Sequence, residues 1–194
     1  MAKKVTVQEL EKRIEDWKKI NLDLLAENKK LNKRHIELLN LAYSDVKFGC
    51  LNRNWLNQNK KRLEKFPMTV ILIDINGLKK INDTKGHDAG DNYILQTISI
   101  VKKQFHTKDE NHMLTLAGEF IIRLGGDEFL ILYEGDNSLF VDNLKTALGD
   151  SASVGFHLKN KHESFYIAMK KADEDLYRNK KAFYARKSLT LSEK

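Results

Sequence analysis

The sequence predicts an α/β domain that follows a long N-terminal helix, and three observations support this prediction. Short apolar runs rich in β-branched residues, which are typical of strands, alternate with longer helical patterns. We expect strands near 68–75, 119–124, 128–134 and 153–158, and helices near 50–65, 88–105, 138–148 and 164–182. A glycine pair between the second and third runs indicates a hairpin, and a heptad pattern marks the first helix. A mixed sheet with a central antiparallel hairpin is therefore expected.

The N-terminal helix is predicted from a seven-residue repeat over residues 7–38. Two positions of the repeat form its seam: Leu10, Trp17, Leu24, Leu31 and Leu38 at one, and Val7, Ile14, Asn21, Asn28 and His35 at the other. Asparagines at the second position favour parallel dimers in register. We therefore expect a coiled-coil homodimer. The alternative is a long amphipathic helix that packs on its own domain.

The sequence divides where the heptad pattern ends. We expect residues 1–42 to form the dimerisation and signalling helix, residues 43–187 the α/β domain and residues 188–194 a short tail. The joint at 38–44 would transmit changes in the helix pair to the domains. The helix either is the whole input or receives an unidentified upstream regulator.

The most informative segment is the hairpin at residues 123–129. Gly125 and Gly126 separate two apolar runs, and Asp127 and Glu128 follow them directly. Adjacent carboxylates at a hairpin tip repel one another unless a cation lies beside them. The segment therefore indicates a divalent metal site, although ordinary solvated turns also favour Gly and Asp.

A second acid supports the metal site. Asp74 lies at the end of the apolar run 68–75, where desolvating a carboxylate is costly. Asp74 and Asp127 on neighbouring strands could share one or two Mg²⁺ ions, which bind carboxylates together with phosphate oxygens. Ions held in this way suit in-line attack on a nucleotide phosphorus.

At these positions the sequence resembles the GGDEF family of diguanylate cyclases. The similarity covers roughly residues 43–187, with motifs in the family's order. The matching segments are 74–84, 86–91, 125–129, 153–155, 172–173, 176–177 and Lys180. A match in several parts is more specific than a single glycine motif.

The resemblance implies a palm-like βααββαβ fold and a reaction in which two GTP molecules condense to cyclic di-GMP, releasing two pyrophosphates. It implies that Asp74, Asp127, Glu128 and the Ile75 carbonyl bind Mg²⁺, or Mn²⁺ in its place. Asp127 and Glu128 would be the catalytic acids, with Glu128 helping to deprotonate the attacking 3′-hydroxyl. The alternative is a catalytically weak or inactive module that binds GTP or a partner protein.

The resemblance also assigns base contacts. Asn82 and Asp91 match the residues that bind the guanine edge, where a carboxylate accepts from N1–H and N2–H₂. Gly125 and Gly126 would let the nucleotide approach the backbone, because they lack a Cβ. Without the family context, Asn82 would be a turn residue and Asp91 a surface acid.

Phosphate contacts form a further group. Gly77, Leu78 and Lys79 would present backbone N–H groups to the phosphates, and Lys180 matches the family's phosphate-contacting lysine. The glycine and arginine that often follow that lysine are missing here. We expect Arg186 to supply the guanidinium instead.

Three other departures separate this chain from the family pattern. Residues 116–119 lack the arginine of the product-inhibition motif, so we expect that feedback site to be absent. The motif at 45–53 keeps its Asp, Gly, Asn and Arg, but has Val-Lys-Phe at 46–48 in place of Pro-Leu-Thr. Asn76 replaces a frequent second aspartate.

Composition argues against several classes of protein. The 194 residues carry a net charge of +7 and a single cysteine, Cys50, which suits a reducing compartment. The lysine pairs are scattered and lack a groove-reading motif, so we expect no nucleic-acid partner. No apolar run approaches the roughly 20 residues that span a bilayer. We expect a cytoplasmic protein with no membrane contact.

Overall fold

The computed structural model of the chain describes residues 6–104, 120–134 and 138–192. The chain divides into two compact units, residues 1–42 and 43–194. The predicted fold class, a mixed α/β domain preceded by a long helix, is confirmed.

The first helix, α1, spans Val7–Tyr43. It begins with a capping box, in which Glu9 N–H donates to Thr6 Oγ1 at 3.3 Å and Thr6 N–H donates to Glu9 Oε2 at 2.9 Å. No residue of α1 is buried in the single chain. The apolar seam is exposed, with Leu24 at 49% and Leu38 at 64%.

The second unit contains a six-stranded sheet. Its strands are β1 (Ser44–Asp45), β2 (Cys50–Asn52), β3 (Met68–Ile75), β4 (Phe120–Gly125), β5 (Glu128–Glu134) and β6 (Ala152–Lys159). Their order is β1-β2-β4-β5-β3-β6. Strands β2 and β4 are parallel, and the other neighbours are antiparallel. Strand β3 therefore lies between β5 and β6, which flank its carboxyl end.

Helices cover both faces of this sheet. They are α2 (Arg53–Leu63), α3 (Leu78–Lys85), α4 (His87–Lys103), α5 (Ser138–Leu148) and α6 (Phe165–Ser192), and a 3₁₀ turn spans Gly149–Ser151. Within the described ranges, no helix is long and apolar enough to cross a membrane.

Strand β3 has two apolar faces, and all eight of its residues are buried. Ile71 and Ile73 belong to the core formed with α4 and α5, whereas Val70 and Leu72 belong to the core formed with α2 and α6. A continuous apolar strand is typical of a sheet covered on both faces. Close packing of α6 on β6 requires Gly155, because a Cβ there would lie 2.1 Å from the backbone nitrogen of Leu176.

The structure corrects several predicted boundaries. Residues 50–52 form β2, so the helix predicted from residue 50 starts at Arg53. Asn52 caps it, since Asn52 Oδ1 accepts from Asn54 N–H at 2.9 Å. Helix α3 was absent from the predicted elements, and α6 continues beyond the predicted end at 182. The predicted product-inhibition stretch at 116–119 lies outside the described residues.

Candidate active site

A buried carboxylate lies at the end of β3. Asp74 is the penultimate residue of the strand and is only 7% exposed. The pKa of Asp74 is raised overall, mainly by burial and further by the charge of Asp127. The hydrogen bond and charge of Lys180 oppose this rise. A carboxylate in such surroundings requires a cation beside it to remain ionised.

In this structure Lys180 of α6 supplies that cation. Lys180 Nζ donates to Asp74 Oδ2 at 2.7 Å. Burial lowers the pKa of Lys180, but the hydrogen bond and charge of Asp74 outweigh this effect and the pKa is raised. The predicted phosphate-binding lysine and the predicted metal-binding acid are thus in direct contact.

The hairpin between β4 and β5 places the second acid next to β3. Ile75 N–H donates to the Asp127 carbonyl oxygen at 3.1 Å, which ties the hairpin tip to the strand end. Gly126 has a φ of 49°, a conformation that favours glycine. Arg123 fixes this turn, because its Nε and Nη2 donate to the Gly126 carbonyl oxygen at 3.0 and 2.8 Å. A Cβ on Gly125 or Gly126 would meet nothing within 4 Å, so the space in front of the turn is open.

Glu128 is the third predicted acid, and it lies directly opposite Asp74 in the register of β3 and β5. Side chains of directly opposed residues lie on the same face of a sheet. Unlike Asp74, Glu128 is exposed. It lines a cleft of about 250 Å³ together with Leu124 of β4 and Asp173 of α6. An exposed carboxylate at this position can exchange protons with water.

The donor set fits a divalent cation that takes most of its ligands from substrate and water. Among the residues that the structure describes, no three His, Cys, Asp or Glu side chains form a preassembled metal cage. Mg²⁺ is usually bound by one or two carboxylates plus phosphate oxygens rather than by such a cage. Asp74 and Asp127 provide carboxylates of that kind, and they are close enough that the charge of Asp127 adds to the effect of burial in raising the pKa of Asp74.

Helices α3 and α4 position the predicted base-binding residues. Asn82 packs on α4 at Gly90, where an added Cβ would lie 1.8 Å from Asn82 Oδ1. Asp91 follows Gly90 directly, and its Oδ2 accepts a hydrogen bond from Lys47 Nζ. The Asn82 amide, which belongs to α3, and the Asp91 carboxylate therefore both lie beside residues 90–91 of α4. Lys47 had no predicted role, although a charged residue where the family motif has leucine was an available signal.

The predicted phosphate-binding residues lie in two places. Gly77, with a φ of 75°, precedes α3, and Leu78 and Lys79 begin it. Backbone N–H groups in the first turn of a helix lack partners within that helix. Arg186 is exposed on α6. It lies six residues after Lys180, and at about 100° per residue this separation places the two side chains about 120° apart around the helix axis. These two cations do not share a face of α6, and the phosphate contact of Arg186 stays a prediction.

Asn76 has a structural role that its sequence position did not predict. Its side chain is buried, its Nδ2 donates to the Asp150 carbonyl oxygen at 3.2 Å, and its Oδ1 accepts from Ser153 Oγ at 2.9 Å. Its N–H donates to the Ser151 carbonyl oxygen at 2.9 Å. Asn76 thereby ties the chain after Asp74 to the turn before β6. An amide directly after a buried strand was the signal that could have identified this role.

Comparison with known proteins adds a family match. The family described as "Diguanylate cyclase, GGDEF domain" matches residues 48–185. The probable diguanylate cyclase DgcI of Escherichia coli strain K12 is 27% identical over 157 residues, and the alignment covers 77% of this chain and 34% of that protein. This chain therefore spans about a third of the relative's length.

Two solved structures share the fold. The diguanylate cyclase SiaD of Pseudomonas aeruginosa, in complex with its activator SiaC, has a TM-score of 0.66 at 18% identity and covers 90% of this chain and 72% of its own. The coiled coil and GGDEF domain of DgcB from Caulobacter crescentus, in complex with c-di-GMP, has a TM-score of 0.64 at 20% identity and covers 86% of this chain and 95% of its own. At these identities the similarity concerns the fold.

Proposed function

This chain belongs to the GGDEF family of diguanylate cyclases, and from that premise we propose that it condenses two GTP molecules into cyclic di-GMP with release of two pyrophosphates. One observation carries the proposal. Asp74 is buried at the end of β3, and the backbone of Asp127 is hydrogen-bonded to the next residue, Ile75, at 3.1 Å. Burying a carboxylate such as that of Asp74 is costly unless a cation lies beside it, and a second, half-buried acid, Asp127, follows at the adjoining hairpin tip.

Asp74, Asp127 and the Ile75 carbonyl, with Glu128 beside them, would hold Mg²⁺, or Mn²⁺ in its place. When bound, the ion would offset the charge of the triphosphate and make the α-phosphorus more electrophilic. Lys180 contacts Asp74, so its ammonium would also lie beside a triphosphate bound at that acid.

Glu128 is the proposed acceptor for the proton of the 3′-hydroxyl. It is exposed and lies opposite Asp74, so it can hold the proton and release it to water. The 3′-oxygen of one GTP forms a bond to the α-phosphorus of the other, and the bond from that phosphorus to pyrophosphate breaks. A second step of the same kind, with the roles of the two nucleotides exchanged, closes the ring and releases the second pyrophosphate. The open space at Gly125 and Gly126 would admit the nucleotide.

Asn82 and Asp91 would select the base. The Asp91 carboxylate can accept from guanine N1–H and N2–H₂, whereas adenine presents an acceptor at N1. The backbone N–H groups of Gly77, Leu78 and Lys79 would bind the distal phosphates at the start of α3.

Homodimerisation through α1 would bring two such domains together. The heptad positions of α1 are exposed in the single chain, and pairing with a second copy would bury them. Tethering the domains in this way would raise the effective concentration of one active site near the other to about millimolar. An upstream regulator that acts on the helix pair would then control turnover through the geometry of the dimer.

The test is to incubate the full chain with GTP and Mg²⁺ and to separate the nucleotide products by chromatography. We expect cyclic di-GMP and pyrophosphate in a one-to-two ratio, and no product with ATP. Asp127→Asn should abolish product, whereas Asp142→Asn on the exposed face of α5 should not. Tight GTP binding without product would instead identify a nucleotide-binding module, and absence of GTP binding would refute both assignments.

A further inference from the structure

Lys47 is a charged residue placed at the predicted base-binding site. Its Nζ donates to Asp91 Oδ2, and its side chain is 57% exposed while that of Asp91 is 25% exposed. The ammonium therefore lies against the carboxylate that would read guanine, with access to solvent and to a ligand.

The backbone that carries Lys47 is held in place by its neighbours. Phe48 is 2% exposed and belongs to the core. Lys102 Nζ, near the end of α4, donates to the carbonyl oxygens of Phe48 at 3.1 Å and Gly49 at 2.7 Å. The same helix carries Asp91. The base of the Lys47 side chain and the carboxylate it contacts are thus fixed relative to one another, while the long side chain can adjust.

Together, Lys47 and Asp91 can bind more of the guanine edge than the two N–H donors that a carboxylate alone can accept. Guanine presents an acceptor, O6, next to its N1–H and N2–H₂ donors. An ammonium has three N–H groups, and each carboxylate oxygen can accept more than one hydrogen bond. Lys47 can therefore keep its bond to Asp91 and donate to O6 at the same time. Adenine has an amino group at that position, which an ammonium would disfavour.

We propose that Lys47 is a third guanine-binding side chain, which donates to O6 while Asp91 accepts from N1–H and N2–H₂. The inference rests on the proposed function, because it takes the pocket at Asn82 and Asp91 as the base site. In the alternative arrangement, Lys47 would bind only the Asp91 carboxylate and would compete with the guanine N–H groups for its oxygens. The two arrangements predict opposite effects of removing the ammonium.

The experiment measures nucleoside diphosphate binding to the full chain by titration calorimetry near neutral pH. Diphosphates are used because they carry no pyrophosphate leaving group. The probes are GDP, 6-thio-GDP, in which sulfur replaces O6 and accepts more weakly, and ADP. The variants are Lys47→Met, Lys47→Arg and, as the control, Lys103→Met, which removes an exposed lysine at the end of α4. Cyclic di-GMP formation from GTP is measured in parallel.

We expect Lys47→Met to weaken GDP binding about tenfold, as for a hydrogen bond that involves a charged group. The wild-type chain should bind 6-thio-GDP several-fold more weakly than GDP, and Lys47→Met should lose most of that difference. Lys47→Arg should retain both properties, and Lys103→Met should resemble the wild type. The ratio of the two guanine probes isolates contact with O6, because loss of a merely structural lysine would weaken both equally.

Three results would overturn the proposal: GDP binding by Lys47→Met that equals or exceeds the wild type, an equal loss for both guanine probes, or no GDP binding by the wild type. The first would identify Lys47 as a competitor of the base, and the third would also remove the base site itself. GDP binding with the expected pattern but without product from GTP would refute the proposed cyclase reaction and leave the role of Lys47 intact.

Discussion

Lys180 Nζ and Asp74 Oδ2 lie 2.7 Å apart and join helix α6 to the carboxyl end of strand β3. The contact places a cation on an acid that burial alone would tend to protonate. Each residue therefore stabilises the charged form of the other, and both belong to the same candidate site. The pair also implies competition, because the ammonium and a divalent cation at Asp74 would repel one another and share the same carboxylate.

Removing the Lys180 ammonium should affect GTP binding and metal binding in opposite directions. Lys180→Met should weaken GTP binding about tenfold, since a charged hydrogen-bond donor to phosphate is lost. In the absence of nucleotide it should strengthen Mn²⁺ binding, because Asp74 no longer has a competing cation. Titrations with GTP and, separately, with Mn²⁺ followed by electron paramagnetic resonance measure the two effects. Lys181→Met, one residue away and exposed, is the control. Unchanged affinity for both ligands would contradict this account of the pair.

The contact between α3 and α4 yields a second prediction. Gly90→Ala would place a methyl group 1.8 Å from the present position of Asn82 Oδ1 and so displace the amide. Alanine is the better helix former by about 1 kcal/mol, so the fold should persist while GTP affinity falls about tenfold. Calorimetric binding and thermal unfolding of the same samples measure the two quantities.

The matched control for Gly90→Ala is the double variant Asn82→Ala/Gly90→Ala. Without the amide the remaining close neighbour of the methyl group is Leu78 Cδ1 at 3.3 Å, the end of a side chain that can yield slightly, so the double variant should bind GTP no more weakly than Asn82→Ala alone. A further loss in the double variant would show that Gly90 acts through something other than Asn82.

The third prediction concerns Cys50, which is 8% exposed. Burial, followed by the charge of Asp45, raises the pKa of the Cys50 thiol to about 11. Near pH 8 its thiolate fraction should be roughly a hundredfold below that of an exposed thiol. Iodoacetamide should therefore modify the folded chain slowly and the urea-unfolded chain quickly, as followed by mass spectrometry. The reference is Cys50→Ala/Val46→Cys, whose thiol lies at an exposed position. Equal rates for the two folded proteins would contradict a buried, protonated Cys50.

Much of the fold could be predicted because its main strands are long and strongly patterned. Strand β3 is apolar over eight residues, and the hairpin follows from the glycine pair at 125–126. Short elements escaped prediction. Strand β2 has three residues, too few for any periodicity. Helix α3 begins after a glycine with a positive φ and is held by contact with Gly90 of α4.

The candidate site could be predicted where burying a residue costs free energy that only a function would justify. A buried acid such as Asp74 is conspicuous in the sequence because the strand around it is apolar. The ion pairs of the site were not predictable. Lys180 and Asp74 are 106 residues apart, and Lys47 and Asp91 are 44 apart. Such contacts depend on how helices pack on the sheet, and neither local propensity nor spacing encodes that.

The last prediction is a pH dependence of stability outside the site, at Glu163. Its carboxylate accepts from Lys171 Nζ at 2.8 Å and lies 2.8 Å from His157 Nε2. The hydrogen bond from Lys171, aided by His157, holds the pKa of Glu163 below its usual value. A lowered pKa stabilises the fold above the unfolded-state pKa of about 4.3, and this contribution is lost as pH falls through the folded-state pKa.

Because Lys171 is half exposed, Glu163→Gln should cost about 0.5–1 kcal/mol near pH 7 and less near pH 3 in urea unfolding. Glu174→Gln, at an exposed position of α6, should change stability little at either pH. A deficit of Glu163→Gln that is the same at both pH values would show that the charge of Glu163 is not its cause.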